Sequence, residues 1–200
     1  MKNKSLLMTI AISLIAISSF AQVKGLFTDS RDGKIYKTVT IGTQTWMAEN
    51  LAYKASSGCW AYNDSVSYVA TYGYLYNWET AKTVCHTGWH LPTEAEWTTL
   101  TNYLGGDSVA GGKLKEIGTT HWTSPNTGST NSSGFTALPG GYRGGDGAFY
   151  SIGGNSSWWS STEDVPEEEG RAWYKSMYSS VYSESSKEDY GFSVRCIRDK

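Results

Sequence analysis

Apolar residues recur along the chain at two spacings, and each predicts a kind of element. Alternation with period two marks strands. After the Asp32-Gly33 turn pair, Ile35, Val39 and Ile41 alternate with Tyr36, Thr38 and Thr40. Gly42-Thr43 then turns the chain into a second strand, Gln44 to Glu49, whose large apolar residue is Trp46. The pair reads as a hairpin. Ser156 to Ser161 reads as a strand that sends Trp158 and Trp159 to opposite faces. Ala172, Tyr174, Ser176 and Tyr178 alternate with Trp173, Lys175 and Met177, in a strand expected to reach Tyr182. A polar tip from Ser183 to Asp189 leads into a last strand with Phe192, Val194 and Cys196 on one face. Phe135 to Leu138 reads as a short strand ended by Pro139-Gly140-Gly141.

Helical spacing appears twice. Tyr74, Trp78 and Ala81 predict a short helix over residues 75–83. Trp97, Leu100 and Leu104 predict a second, with the better-marked boundaries. Thr93 and Glu96 form a capping box, in which each side chain satisfies the other residue's backbone N–H. Pro92 blocks a helix from entering on the left, and Gly105-Gly106 ends the run. Tyr53 to Tyr72, Thr119 to Ser133, Arg143 to Gly154 and the acidic stretch Asp164 to Gly170 lack either period and read as loops or turns. The fold class is therefore α+β: one domain of two helices, short and mostly antiparallel strands, and long glycine-rich loops.

The first 21 residues stand apart. Lys2 and Lys4 precede an apolar run from Leu6 to Phe20, and Ser19-Phe20-Ala21 has the small-x-small pattern of a signal-peptidase site. This reads as a signal peptide over 1–21 and a mature domain over 22–200. The run falls short of the ~20 unbroken apolar residues a membrane span needs. The product is thus expected to be secreted, periplasmic or at the cell surface, with no membrane span after cleavage. Losing Lys2 and Lys4 lowers the basic count from 17 to 15 against 19 acidic residues, a net charge of −4. With no basic stripe, nucleic acid is not an expected partner. The 22 glycines, 14 tyrosines and 9 tryptophans point to turns and aromatic packing rather than an aliphatic core.

Candidate chemistry is sparse. Asp29 to Gly33 lacks the alternating oxygens and closing Glu of a calcium loop. Gly111-Gly112-Lys113 is not a phosphate loop, since no Ser or Thr follows the lysine. Cys85, His86 and His90 offer metal ligands, but Gly88 and Pro92 prevent a helical pair, so no metal site is predicted. Glu94 and Glu96 belong to the helix start. No catalytic residues are assigned. What the residues do supply is a binding surface: Trp122, Tyr142, Arg143, Trp158 and Trp159 offer ring faces and planar hydrogen bonding suited to sugars or peptides. One ring of the Trp158-Trp159 pair is expected to be exposed.

Five stretches carry a family resemblance. Ile41 to Leu51, Tyr72 to Trp78, Gly88-Trp89-His90-Leu91-Pro92-Thr93-Glu94-Ala95-Glu96-Trp97, Gly134 to Arg143, and Gly191-Phe192-Ser193-Val194-Arg195-Cys196 resemble the Fibrobacter succinogenes major paralogous domain, in that family's order. Leu91 to Trp97 is also similar to formylglycine-generating enzymes, which share a C-type-lectin-like architecture. The resemblance implies that architecture, and with it a long disulfide, here Cys85 to Cys196, leaving Cys59 over. It also implies binding through the long loops of the C-terminal half. The formylglycine-generating enzymes use a cysteine pair with copper, and Arg171 to Gly191 contains no cysteine. The expected function is a non-enzymatic binding module for a glycan or surface protein, without a cofactor and with any calcium requirement left open. An enzyme related to the formylglycine-generating type, or a hydrolase, is the alternative.

Overall fold

The computed structural model describes residues 22–164, 171–177 and 180–200. The segment read as a signal peptide, the stretch beyond Asp164 read as an acidic turn, and Tyr178 lie outside them. The fold is mixed α+β, with two main sheets and a few short helices. One sheet has five strands: β1 (Val23–Thr28), β2 (Ile35–Ile41), β3 (Gln44–Met47), β13 (Ile197–Arg198) and β6 (Trp89–His90), in that spatial order. The other runs β11 (Val181–Lys187), β10 (Arg171–Met177), β9 (Ser156–Glu163), β12 (Phe192–Ser193), β5 (Leu75–Tyr76) and β4 (Cys59–Trp60). The expected β2–β3 hairpin forms, with Ile41 opposite Gln44. β1 was not expected; its residues are mostly exposed, so no alternation marks it.

Period two explains how one strand serves two cores. Trp158 and Trp159 leave β9 on opposite faces, and each enters a separate apolar cluster. Trp158 packs with Trp46, Trp97 and Phe135 beneath the helices, while Trp159 packs with Tyr76, Trp78 and Phe192. Both indole N–H groups are satisfied, by Asn50 Oδ1 at 2.9 Å and Tyr76 O at 2.7 Å. The expectation of one exposed ring is thereby corrected: β9 lies inside its sheet and both faces are covered.

The helices differ from expectation in number and bounds. Leu75 and Tyr76 form β5, and helix α2 (Trp78–Ala81) starts later, where Asn77 Oδ1 accepts from Thr80 N–H at 3.1 Å. Sheet pairing with β4 and β12 overrides the helical spacing there. One-turn helix α1 (Val69–Tyr72) lies in the stretch read as loop. Helix α3 (Glu94–Tyr103) has the predicted capping box: Thr93 Oγ accepts from Glu96 N–H at 3.2 Å, and Glu96 accepts from Thr93 N–H at 2.9 Å. Thr93→Ala is expected to lower stability by ~1 kcal/mol, a typical N-cap loss, read as a fall in urea midpoint at constant slope.

A further helix, α4 (Asp107–Leu114), escaped the pattern because Gly111-Gly112 lowers its propensity. Gly112 has a packing reason. A Cβ on Gly112 would sit 2.4 Å from the carbonyl oxygen of Gly128, so the loop after α4 rests against bare helix backbone.

Two strand expectations also change. Phe135 to Leu138 is not a strand, since only Ala137 bridges, to Lys115. The expected polar tip Ser183 to Asp189 is mostly strand, β11, paired with β10 from Arg171–Lys187 to Met177–Val181. It is anchored by the buried Lys175, whose Nζ lies 2.5 Å from both Glu94 Oε1 and Ser183 Oγ, tying the hairpin to the start of α3. The disulfide Cys85–Cys196 joins the segment after α2 to the C-terminal strand, and Cys59 is free. Among the described residues, no helix is long and apolar enough to cross a membrane.

Candidate functional site

The outer face of the β9–β10–β11 ribbon carries a small aromatic-walled cleft. Tyr174 stands opposite Trp159 and Glu184, and Ser176 opposite Ser157, so these side chains share one face by strand register. The register slips between Ala172 and Tyr174, a bulge of the kind that re-aims side chains. The chain Arg143 to Gly154, read as a loop, holds a small hairpin, β7 (Tyr142–Arg143) with β8 (Phe149–Tyr150). Arg143 and Gly191 exchange both backbone hydrogen bonds, at 2.9 and 2.8 Å, which fixes this hairpin beside the last strands.

That exchange brings Tyr142 next to Tyr190, with ring centroids 6.4 Å apart and planes 15° from parallel. Tyr142 also stacks on Tyr150 at 5.4 Å. Tyr174 stacks on Phe192 at 4.3 Å, and the buried Trp159 ring supports Phe192 from beneath at 4.5 Å. Tyr142, Tyr174, Tyr190 and Phe192 wall a cleft of 250 Å³. Its floor is polar: Asn155 donates to Ser157 Oγ at 3.2 Å and accepts from Ser176 Oγ at 3.3 Å, all three side chains being buried. Glu184 lies on the rim and accepts from the Tyr174 hydroxyl at 2.5 Å; Ser186 completes the same edge.

Of the residues expected to bind, Tyr142 lines the cleft and Trp159 supports it from the core. Trp158 and Trp122 do neither. Trp122 is buried, donates to Ala137 O at 3.0 Å and carries Lys115 Nζ 4.0 Å above its ring. Arg143 turns the other way, over the Trp60 ring at 4.2 Å. Tyr174, Glu184, Tyr190 and the polar floor were missed. Their signal was present in the alternation Tyr174, Ser176 and Glu184, Ser186, which becomes readable once β11 is known to be a strand. Beside the cleft, Asp146 accepts from the Tyr150 hydroxyl at 2.5 Å, which lowers the Asp146 carboxyl and raises the Tyr150 phenol relative to their ordinary values.

The other polar constellation is His90, which bridges Asp199 at 2.6 Å and Glu96 at 3.0 Å. Burial disfavours the charged ring, but hydrogen bonds to Asp199 and Glu96, with the charges of both carboxylates, outweigh it and raise the His90 pKa above 6.5. The folded protein thus holds this proton more tightly than the unfolded chain. The resulting stabilisation is complete below about 6.5 and is lost as pH rises through the folded value. Glu96 runs oppositely. Burial alone would raise its pKa, but hydrogen bonds from Thr93 and His90 hold it below 4.5, so its contribution is present above that value and lost on acidification through the folded value. Urea midpoints are expected to fall between about pH 6 and about pH 8 in the wild type, and to fall less in His90→Asn. Equal declines in both would remove His90 as the cause.

Among the described residues, no three His, Cys, Asp or Glu side chains converge to hold a metal ion. Asp29, in the stretch compared with a calcium loop, is buried and paired with Arg31 at 2.6 Å. Compared with known proteins, residues 39–198 match the Fibrobacter succinogenes major domain. No curated protein and no solved structure matches the chain.

Proposed function

Because the chain belongs to the Fibrobacter succinogenes major domain family, we propose that it is a secreted or cell-surface binding module of C-type-lectin-like architecture whose glycan or surface-protein ligand seats in the cleft of Tyr142, Tyr174 and Tyr190. The observation that carries this reading is the meeting of aromatic walls with a buried amide-and-hydroxyl floor on a rigid sheet. Such a combination stacks on apolar faces and hydrogen-bonds to polar edges, as sugars and peptide segments require. The long disulfide from the end of the first helical region to the last strand supports the lectin-like architecture.

Thiol chemistry of the formylglycine-generating kind is less well supported. Cys85 and Cys196 are joined to each other. Cys59 donates to Ala55 O, and burial raises its thiol pKa, which disfavours a reactive thiolate. The test is an array of glycans and cell-surface proteins probed with the mature protein and with Tyr190→Ala. Removal of a central ring is expected to cost ~2 kcal/mol of affinity, roughly 30-fold. Undiminished binding by Tyr190→Ala at native stability would move the site elsewhere.

A further inference from the structure

Resting on the assignment of the cleft as the ligand site, we infer that it takes a single sugar ring that is neutral or amine-bearing and rejects sugars that carry a carboxylate. Size sets the first limit. At 250 Å³ the cleft is smaller than the ~300 Å³ at which pockets for drug-sized ligands begin, so one ring fits and an extended chain continues outside. The walls suit a ring with an apolar face, and the floor suits hydroxyl groups. Asn155, Ser157 and Ser176 are all at most 3% exposed, and their mutual hydrogen bonds are long, at 3.2 and 3.3 Å. An amide and two hydroxyls supply donors as well as acceptors to an uncharged polyol.

Charge sets the second limit. Among the described residues, Glu184 is the only formally charged side chain lining the cleft. Its Oε2 is engaged by the Tyr174 hydroxyl at 2.5 Å, which positions the carboxylate at the exposed rim, where it faces a ligand hydroxyl or ammonium. The two cations adjacent in sequence to wall residues, Arg143 and Lys175, are held over Trp60 and against Glu94, and neither lines the space. A ligand carboxylate would therefore meet Glu184 with no lining cation to offset the repulsion, a built-in rejection. An ammonium would gain both the carboxylate and the faces of the tyrosine rings.

The test uses the mature protein, with glucose, glucosamine and glucuronic acid and the three matching galactose derivatives, titrated by ligand-observed NMR. The amino and neutral sugars are expected to bind, and the uronic acids at least about tenfold more weakly. Glu184→Lys, at an exposed position, should reverse that order, with uronic acids gaining at least about tenfold. Uronic acids that bind the wild type as well as the neutral sugars, in a manner lost in Tyr190→Ala, would overturn the charge selection and leave the cleft standing as the site. Sugar binding untouched by Tyr190→Ala would overturn the cleft itself. If none of the six sugars binds, the single-ring inference falls, and loss of array binding in Tyr190→Ala would still sustain the broader reading.

Discussion

Replacing Cys85 and Cys196 with alanine is expected to lower the unfolding free energy by ~4 kcal/mol. The two residues are 111 apart in sequence, so the bridge removes a very large loop from the conformations open to the unfolded chain. In the chain-entropy account, a loop of this order is worth ~4.7 kcal/mol, and real proteins usually show somewhat less. Against a total of roughly 5–15 kcal/mol for a typical domain, the loss leaves a marginal fold. Alanine is the better replacement because Cys196 is fully buried, where a serine hydroxyl would need a partner. Urea unfolding of the double variant, and of the wild type with and without reductant, measures the effect. A loss under about 1 kcal/mol would show that the unfolded chain is already constrained without the bridge.

Arg195→Met is expected to cost ~3–5 kcal/mol, although methionine fills much of the same volume. Arg195 is buried; burial pulls its pKa down to about 9, with the Glu49 charge offsetting only part of the effect, so it remains charged at neutral pH. Its guanidinium donates to Asn50 Oδ1 at 3.0 Å, to Thr136 O at 2.9 Å and to Phe135 O, and lies 4.1 Å from the Phe135 ring. Methionine relieves the buried charge but leaves two backbone carbonyls without this donor. Each orphaned buried acceptor costs ~1–3 kcal/mol. Asn50 retains Trp158 as a donor, so the damage centres on Phe135 and Thr136. Thr136 already sits at φ 54°, a conformation that its neighbours must hold in place. Lys in place of Arg keeps the charge but loses the planar fork, and should fall between the two. A methionine variant as stable as the wild type would mean that the charge, rather than the missing bonds, dominates.

Much of the fold could be read in the sequence where local and tertiary forces agree. The Thr93–Glu96 box starts α3 as expected, and the β2–β3 hairpin turns at Gly42. Phe192, Val194 and Cys196 are buried as expected, but the single last strand is not formed: it divides into β12 and β13, and Ser193 and Arg195 are buried as well. Reading failed where packing overrode propensity. Gly111-Gly112 hid α4, and at Gly112 the glycine answers to a loop carbonyl rather than to helix propensity. Leu75 and Tyr76 left the helical pattern because two strands compete for them. β11 looked like a polar tip because it is an edge strand with a mostly exposed, hydrophilic sequence. That one error concealed the site, since Glu184 and Ser186 acquire a common face with Tyr174 only through strand pairing. The tryptophans misled for a different reason. A large ring on a strand is equally suited to core and platform, and which role it takes depends on what covers each face of the sheet.

The segment from Phe192 to Arg198 stitches the two sheets together. β12 belongs to the six-stranded sheet and β13 to the five-stranded one. Between them, Val194 O and Cys196 O accept from Leu51 and Met47 N–H at 2.9 and 3.0 Å. Without this segment β9 and β5 lose the strand between them, as do β3 and β6, Cys85 has no mate, and Phe192 is missing from the cleft. A copy truncated before Gly191 would present two open apolar clusters and an incomplete wall, to proteases as well as to ligand. Display of the cleft is thus coupled to closure of both sheets through one short segment.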